Sequence, residues 1–136
     1  MDIKDISIVI TTYKSESKLY SCLNSLPQSV KIIVVENSND VKFKQRLNIR
    51  YPNIECILTG DNKGYSVANN IGLSQVNSKY SLVLNPDTIV GENTFNNFLE
   101  TAKHYPDFWL IGPSNHQAND KPLGSKKVFE VNSLKG

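Results

Sequence analysis

Short β-branched runs alternate with helical stripes along this chain, and that alternation restricts its possible folds more than any other feature. Residues 6–10, Ile6-Ser7-Ile8-Val9-Ile10, are mostly apolar, as suits a strand covered on both faces. Ser15 then stands as an N-cap with Glu16 in the first turn. Leu19, Cys22, Leu23 and Leu26 follow at helical spacing, and Pro27 ends that helix. Lys31–Glu36 predicts a second strand, and Phe43, Leu47 and Tyr51 mark a helix that stops before Pro52. Residues 54–58 predict a third strand. A helix over 66–75 is expected to bury Val67, Ala68, Ile71 and Gly72. Tyr80–Leu84 predicts a fourth, buried strand. The next helix carries Phe95, Phe98, Leu99, Ala102 and Tyr105 on one face and ends at Pro106. Residues 109–112 predict a fifth strand and 128–131 a short further one. Alternation of this kind implies βαβ units with right-handed crossovers. The predicted class is α/β, a mainly parallel open sheet with helices on both faces.

The 136 residues suit one domain, 1–136, with a sizeable core. A net charge of +2 with the two signs interspersed gives no support to a nucleic-acid partner. Cys22 lies on a helical stripe and Cys56 in a strand, so both read as small buried hydrophobes in a reducing compartment. A disulfide between them stays open at this level. No stretch reaches the roughly 18 apolar residues of a transmembrane helix. The first five residues carry both charge signs and lead into a strand, unlike a secretory signal. The expected place is the cytoplasm.

In a parallel sheet the loops that follow strands share one edge, where ligands bind. Here those loops are 11–14, 36–40, 61–64 and 85–88, all polar. The chain lacks G-x-G-x-x-G after its first strand, lacks G-x-x-x-x-G-K-[ST] and lacks G-x-S-x-G. Dinucleotide-dependent dehydrogenases, P-loop NTPases and elbow-type hydrolases are thereby disfavoured. His104 ends a helix and His116 sits in a late loop, so a histidine triad or zinc site has no basis. Asn85-Pro86-Asp87 stands out: a turn stiffened by proline delivers a carboxylate to the ligand edge. Such a carboxylate can hold a divalent cation against phosphate, or the triplet can simply start a turn.

Four segments carry a resemblance: 8–13, 34–40, 62–72 and 84–88, in that order. Together they resemble the motifs of family 2 glycosyltransferases with the GT-A fold, nearest the rhamnosyltransferase-like branch, over about residues 6–136. The resemblance implies transfer of a sugar from a UDP- or dTDP-linked donor, with inversion, to a glycan or lipid-linked acceptor. That implies polysaccharide or surface-glycan assembly, at the inner face of the membrane. It implies nucleotide-binding roles for Thr11, Tyr13, Glu36, Asn62, Lys63 and Asn85. Tyr13 would stack on the base, or else pack on the sheet edge. Glu36 stands where the family has Asp and would accept the imide N–H of the base, or else end its strand in solvent. Asp40 reads as an assistant there or a surface turn residue. Lys63 would reach a phosphate or remain solvated, and Gly64 would supply a backbone form that other residues resist. Asp87 matches the last acid of the family's D-x-D and would hold Mg²⁺ or Mn²⁺ across the diphosphate. Asn85 replaces the first acid as a neutral ligand or a ribose contact, which removes one negative charge and should weaken metal affinity.

The catalytic residue stays unknown. The family's base, an acid that deprotonates the acceptor hydroxyl, has no match, because the setting of Glu130 differs from that motif. The resemblance therefore implies a donor-binding part without its acceptor half, weak or inactive alone. An exposed sheet edge would favour a homodimer. The alternative is a non-catalytic α/β module that keeps the fold as a binding unit.

Overall fold

The computed structural model describes residues 2–113. The expected strand at 128–131, His116, Glu130 and most of the polar stretch after Pro113 lie outside the described residues. Four strands, β1 (Ile6–Thr12), β2 (Lys31–Glu36), β3 (Glu55–Leu58) and β4 (Tyr80–Leu84), form one sheet in the order β3-β2-β1-β4. Every pair is parallel, with Ile10 facing Val34 on one side and Leu84 on the other. Helices α1 (Glu16–Asn24), α2 (Val41–Arg50) and α3 (Tyr65–Leu73) make the three crossovers, and α4 (Thr94–His104) follows β4. The α/β class with a parallel open sheet is as the sequence predicts.

The pleat of β1 divides the core in two. Ile6, Ile8 and Ile10 face one layer, with Leu19 and Cys22 of α1, Phe43 and Leu47 of α2 and Phe95 of α4. Val9 faces the other, with Ile33, Val35 and Ala68 of α3. Each fully buried Leu or Ile contributes about 1.5–3 kcal/mol, so these stripes fix which face each helix presents. Asp40 caps α2 by accepting the Phe43 N–H at 2.8 Å, which defines its place better than a surface turn does. Ser15 holds the N-cap position of α1, but its hydroxyl is donated to the Tyr13 carbonyl at 3.0 Å. Both cysteines are buried free thiols, so they form no disulfide.

Three expectations fail. Val67 is 48% exposed, while Asn69 is buried beside Ala68 and Gly72. The reason is Gly72: a Cβ there would lie 2.5 Å from Val9 Cγ1 and 2.8 Å from Val35 Cγ2. The helix presses its glycine face onto the sheet, and that phase turns Val67 outward. Second, β4 is covered on one face only, with Ser81 and Val83 exposed, because α3 lies over β1 and β2. Third, 109–112 forms no strand: Trp109 is 95% exposed and pairs with no strand among the described residues. Just before that segment, Phe108 stacks on Tyr80 at 5.5 Å. Among the described residues no helix is long and apolar enough to cross a membrane.

Candidate functional site

A cleft of about 410 Å³ opens at the carboxyl edge of the sheet. Thr11, Thr12 and Tyr13 form its floor where β1 ends, with Ser15 and Lys18 from the start of α1. Asn37, Asn62 and Tyr65 form one wall, and Asn85, Pro86 and Asp87 the other. Parallel pairing of β1 with both β2 and β4 brings these loops together. Tyr13 and Asp87 therefore share one side of the molecule. A second hollow of about 370 Å³ lies between β4 and α4, lined mostly by apolar side chains such as Leu82, Phe98 and Leu99.

The floor is rigid. The Thr11 hydroxyl is donated to Asn69 Oδ1 at 2.8 Å, in the interior. The Thr12 hydroxyl is buried and has no hydrogen-bond partner among the described residues. Tyr13 keeps an exposed ring with Lys14 Nζ 5.2 Å from its centroid. Lys14 itself adopts φ +50°, a left-handed form that costs a residue with a Cβ about 1–2 kcal/mol. Its backbone N–H is turned to the Glu36 carboxylate.

Glu36 is 2% exposed, so the solvated reading of this strand end does not hold. Ser38 donates its hydroxyl to Glu36 Oε1 at 2.8 Å. Burial pushes the Glu36 carboxyl above its ordinary range, against the Ser38 and Lys14 hydrogen bonds, which pull it down. Glu36 stands opposite Thr12 in the sheet, just behind the cleft lining. Lys63 is also outside the lining, with its Nζ in an ion pair with Asp61 at 2.6 Å. Its contribution is its backbone N–H, donated to Asn37 Oδ1 at 3.0 Å.

Asn37 and Asn62 knit the first wall together. Asn37 Nδ2 donates to Asn62 Oδ1 at 3.0 Å, and the Gly64 N–H donates to the same oxygen at 3.0 Å. Gly64 has φ +82°, the conformation anticipated for it, and opens α3. On the opposite wall, the Thr88 N–H donates to the Asn85 carbonyl at 3.1 Å. The Tyr65 hydroxyl crosses between the walls to Asn85 Oδ1 at 2.7 Å. Thr12, Asn37 and Tyr65 are lining residues that sequence reading did not single out. Asn37 and Tyr65 each sit one position beyond a residue it did weigh, Glu36 and Gly64.

Asp87 is the cleft's carboxylate, exposed and without a hydrogen bond or ion pair among the described residues. No group of three or more His, Cys, Asp or Glu side chains able to hold a metal occurs among them. One free carboxylate suits a hard cation that keeps waters and takes its remaining ligands from a substrate phosphate. It does not suit a resident metal held by protein alone.

A polar cleft with one carboxylate thus lies at the carboxyl edge of a parallel α/β sheet, the edge where open α/β folds bind ligands. The chain belongs to glycosyl transferase family 2, whose family model matches residues 7–128. It is 31% identical over 113 residues to the low-salt glycan biosynthesis hexosyltransferase Agl10 of Haloferax volcanii, covering 80% of this chain and 36% of that protein. It is 26% identical over 123 residues to the N-acetylglucosaminyl-diphospho-decaprenol L-rhamnosyltransferase of Mycobacterium tuberculosis, covering 79% of this chain and 40% of that protein. Its fold is similar to the crystal structure of S. aureus TarS 1-349 in complex with UDP. The TM-score is 0.60 at 18% identity, covering 74% of this chain and 32% of that one. The chain thus spans well under half the length of these relatives.

Proposed function

We propose that this chain is the donor-binding part of a family 2 glycosyltransferase, holding a UDP- or dTDP-linked sugar in the cleft. The whole protein passes a hexosyl or rhamnosyl group, with inversion, to a glycan or lipid-linked acceptor in polysaccharide assembly. A cytoplasmic site at the inner membrane face goes with such an acceptor. The observation that carries this reading is the gathering of Tyr13, Asn62, Asn85 and Asp87 around one cleft at the sheet edge. The UDP in the related TarS structure and the hexosyltransferase and rhamnosyltransferase relatives support it.

In this reading the base stacks on the exposed Tyr13 ring. Glu36, paired with Thr12 behind the floor, accepts the base imide on this reading, which requires Tyr13 and Lys14 to shift. Its raised carboxyl range favours a partner that can share a proton. The diphosphate lies toward Asn62 and Asp87. Asp87 would hold Mg²⁺ or Mn²⁺, which would supply positive charge to stabilise the departing nucleoside diphosphate. The thermal-shift experiment tests the whole reading. UDP or dTDP with Mn²⁺ raises the melting temperature of the full chain by several degrees at about 100-fold excess over Kd. Asp87→Ala removes the metal-dependent part of that rise. No shift with any nucleotide leaves the fold as a non-catalytic binding module.

A further inference from the structure

Where β1 runs into α1, three unfavourable features fall within four consecutive residues. The Thr12 hydroxyl is buried without a hydrogen-bond partner among the described residues. Lys14 is the one residue among them, glycines aside, with a positive φ, at +50°. Ser15 stands at the N-cap of α1 and caps nothing, because its hydroxyl is donated to the Tyr13 carbonyl at 3.0 Å. A serine oxygen in that position ordinarily accepts an N–H of the first turn. Strained backbone persists only where its surroundings hold it, and it gathers at switches and ligand clamps. Glu36 does the holding here. Its carboxylate, on a residue 2% exposed, takes the Lys14 N–H and the Ser38 hydroxyl. The rigidity of the floor stops at Thr12, whose carbonyl accepts the Asn37 N–H at 2.8 Å. It resumes at Ser15, whose carbonyl accepts the Leu19 N–H at 2.9 Å. Tyr13 and Lys14 can therefore move with no loss from β1 or α1.

We propose that residues 13–15 form a strap latched shut over Glu36, and that a nucleotide opens it by taking the carboxylate from Lys14. This rests on the donor reading above, in which Glu36 accepts the base imide, and adds how that site is controlled. In the latched form the Lys14 N–H occupies the acceptor that the base needs. A base that gives its ring N–H in exchange leaves the carboxylate with as many hydrogen bonds as before. Lys14 is then free to return to a negative φ, and Ser15 to turn its oxygen toward the first turn of α1. Both changes offset the loss of the latch. The latched and open forms are thereby near balance, and a ligand that binds only the open one shifts it.

Two measurements on the full chain test this: calorimetric titration with UDP in Mn²⁺, and hydrogen exchange at the backbone N–H of residue 14 without nucleotide. Three variants of Lys14 serve, since its side chain is exposed and outside the cleft lining. An unchanged far-ultraviolet spectrum establishes that each folds. Lys14→Ala keeps the N–H and the unfavourable φ, so it is the reference that removes the charge alone. Lys14→Gly makes the latched form easier to hold. It binds UDP about three- to tenfold more weakly than Lys14→Ala, and it melts at a higher temperature. Its residue-14 N–H exchanges more slowly, after correction for the intrinsic rate. Lys14→Pro has no N–H to give Glu36 and a φ fixed near about −65°, so the strap cannot latch. It binds UDP at least about threefold more tightly than Lys14→Ala and melts lower. Gly and Pro variants that bind UDP as Lys14→Ala does, or that both shift the same way, overturn the proposal. So does a residue-14 N–H in Lys14→Ala that exchanges as fast as in an unfolded peptide. UDP binding by none of them removes the donor reading and the gate with it, and the exchange rates tell that failure from a strap that never closes.

Discussion

The Cys22 thiol lies 3.9 Å from the Asn85 carbonyl oxygen, so α1 supports from below the turn that carries Asp87. Burial raises the Cys22 pKa, and the nearby Asp87 charge adds to it. Cys56 is pushed up to about 11, mainly by burial. Neither thiol is a nucleophile at neutral pH. The folded chain should show no thiol reactive toward an aromatic disulfide reagent at pH 8, and the urea-unfolded chain two. Fast labelling of native protein would contradict the packing described for α1.

Gly72→Ala is the sharpest test of the fold. Alanine favours a helix over glycine by about 1 kcal/mol. Here the new methyl meets Val9 and Val35 at 2.5 and 2.8 Å, so overpacking of about 1–3 kcal/mol outweighs it. The expected result is a net loss in urea unfolding. The variant should also bind nucleotide less well, because Thr11 and Asn69 join β1 to the same helix.

Acid should reach the protein through Glu16. Arg46 grips both of its oxygens, at 2.8 and 2.6 Å, and Tyr20 donates to it at 2.6 Å. The Arg46 and Tyr20 hydrogen bonds lower its pKa from 4.5 to about 2. A depressed folded pKa gives stability that is fully present above 4.5 and lost as pH falls toward 2. The melting temperature should fall across that interval. Arg46→Met should flatten the fall, by bringing the folded value back toward the unfolded one.

Glu36 behaves with the opposite sign. Its folded pKa is raised, so the unfolded chain releases this proton first, and stability drops as pH rises from 4.5 through the folded value. Glu36→Gln keeps an acceptor for the Ser38 hydroxyl without the buried charge. It should be more stable than the parent at pH 7 and equal to it near pH 4, by urea unfolding. If Glu36 accepts the base imide, the same change weakens nucleotide binding by about tenfold.

Much of this was readable from spacing alone. Leu19, Cys22 and Leu23, Phe43 and Leu47, and Phe95 and Ala102 lie buried where the helical period places them. Tyr13, Asn62, Asn85 and Asp87 meet because loops after parallel strands share an edge. Other features depend on partners remote in the chain. Asn69 is buried because Thr11 supplies its hydrogen bond, and polarity by itself pointed outward. Residues 109–112 have the apolar content of a strand, but a strand exists only with a neighbour to pair with. A solvated strand end was the alternative reading of Glu36; its burial follows from Ser38 and Lys14 closing over it. The Tyr65–Asn85 link joins two loops whose facing appears only in three dimensions.

Strand β1 sits between β2 and β4, and Ile6 finds its partner only in Tyr80. Parallel neighbours are never made by a local hairpin. During synthesis, Tyr13 and its loop therefore leave the ribosome long before the Asn85–Asp87 turn exists to face them. The half-sheet β1–β2–β3 must wait with one flank bare until the last strand arrives. The cleft thus gains its second wall only after three strands and three helices have been made, and a ligand that needs both walls cannot help the chain through those earlier stages.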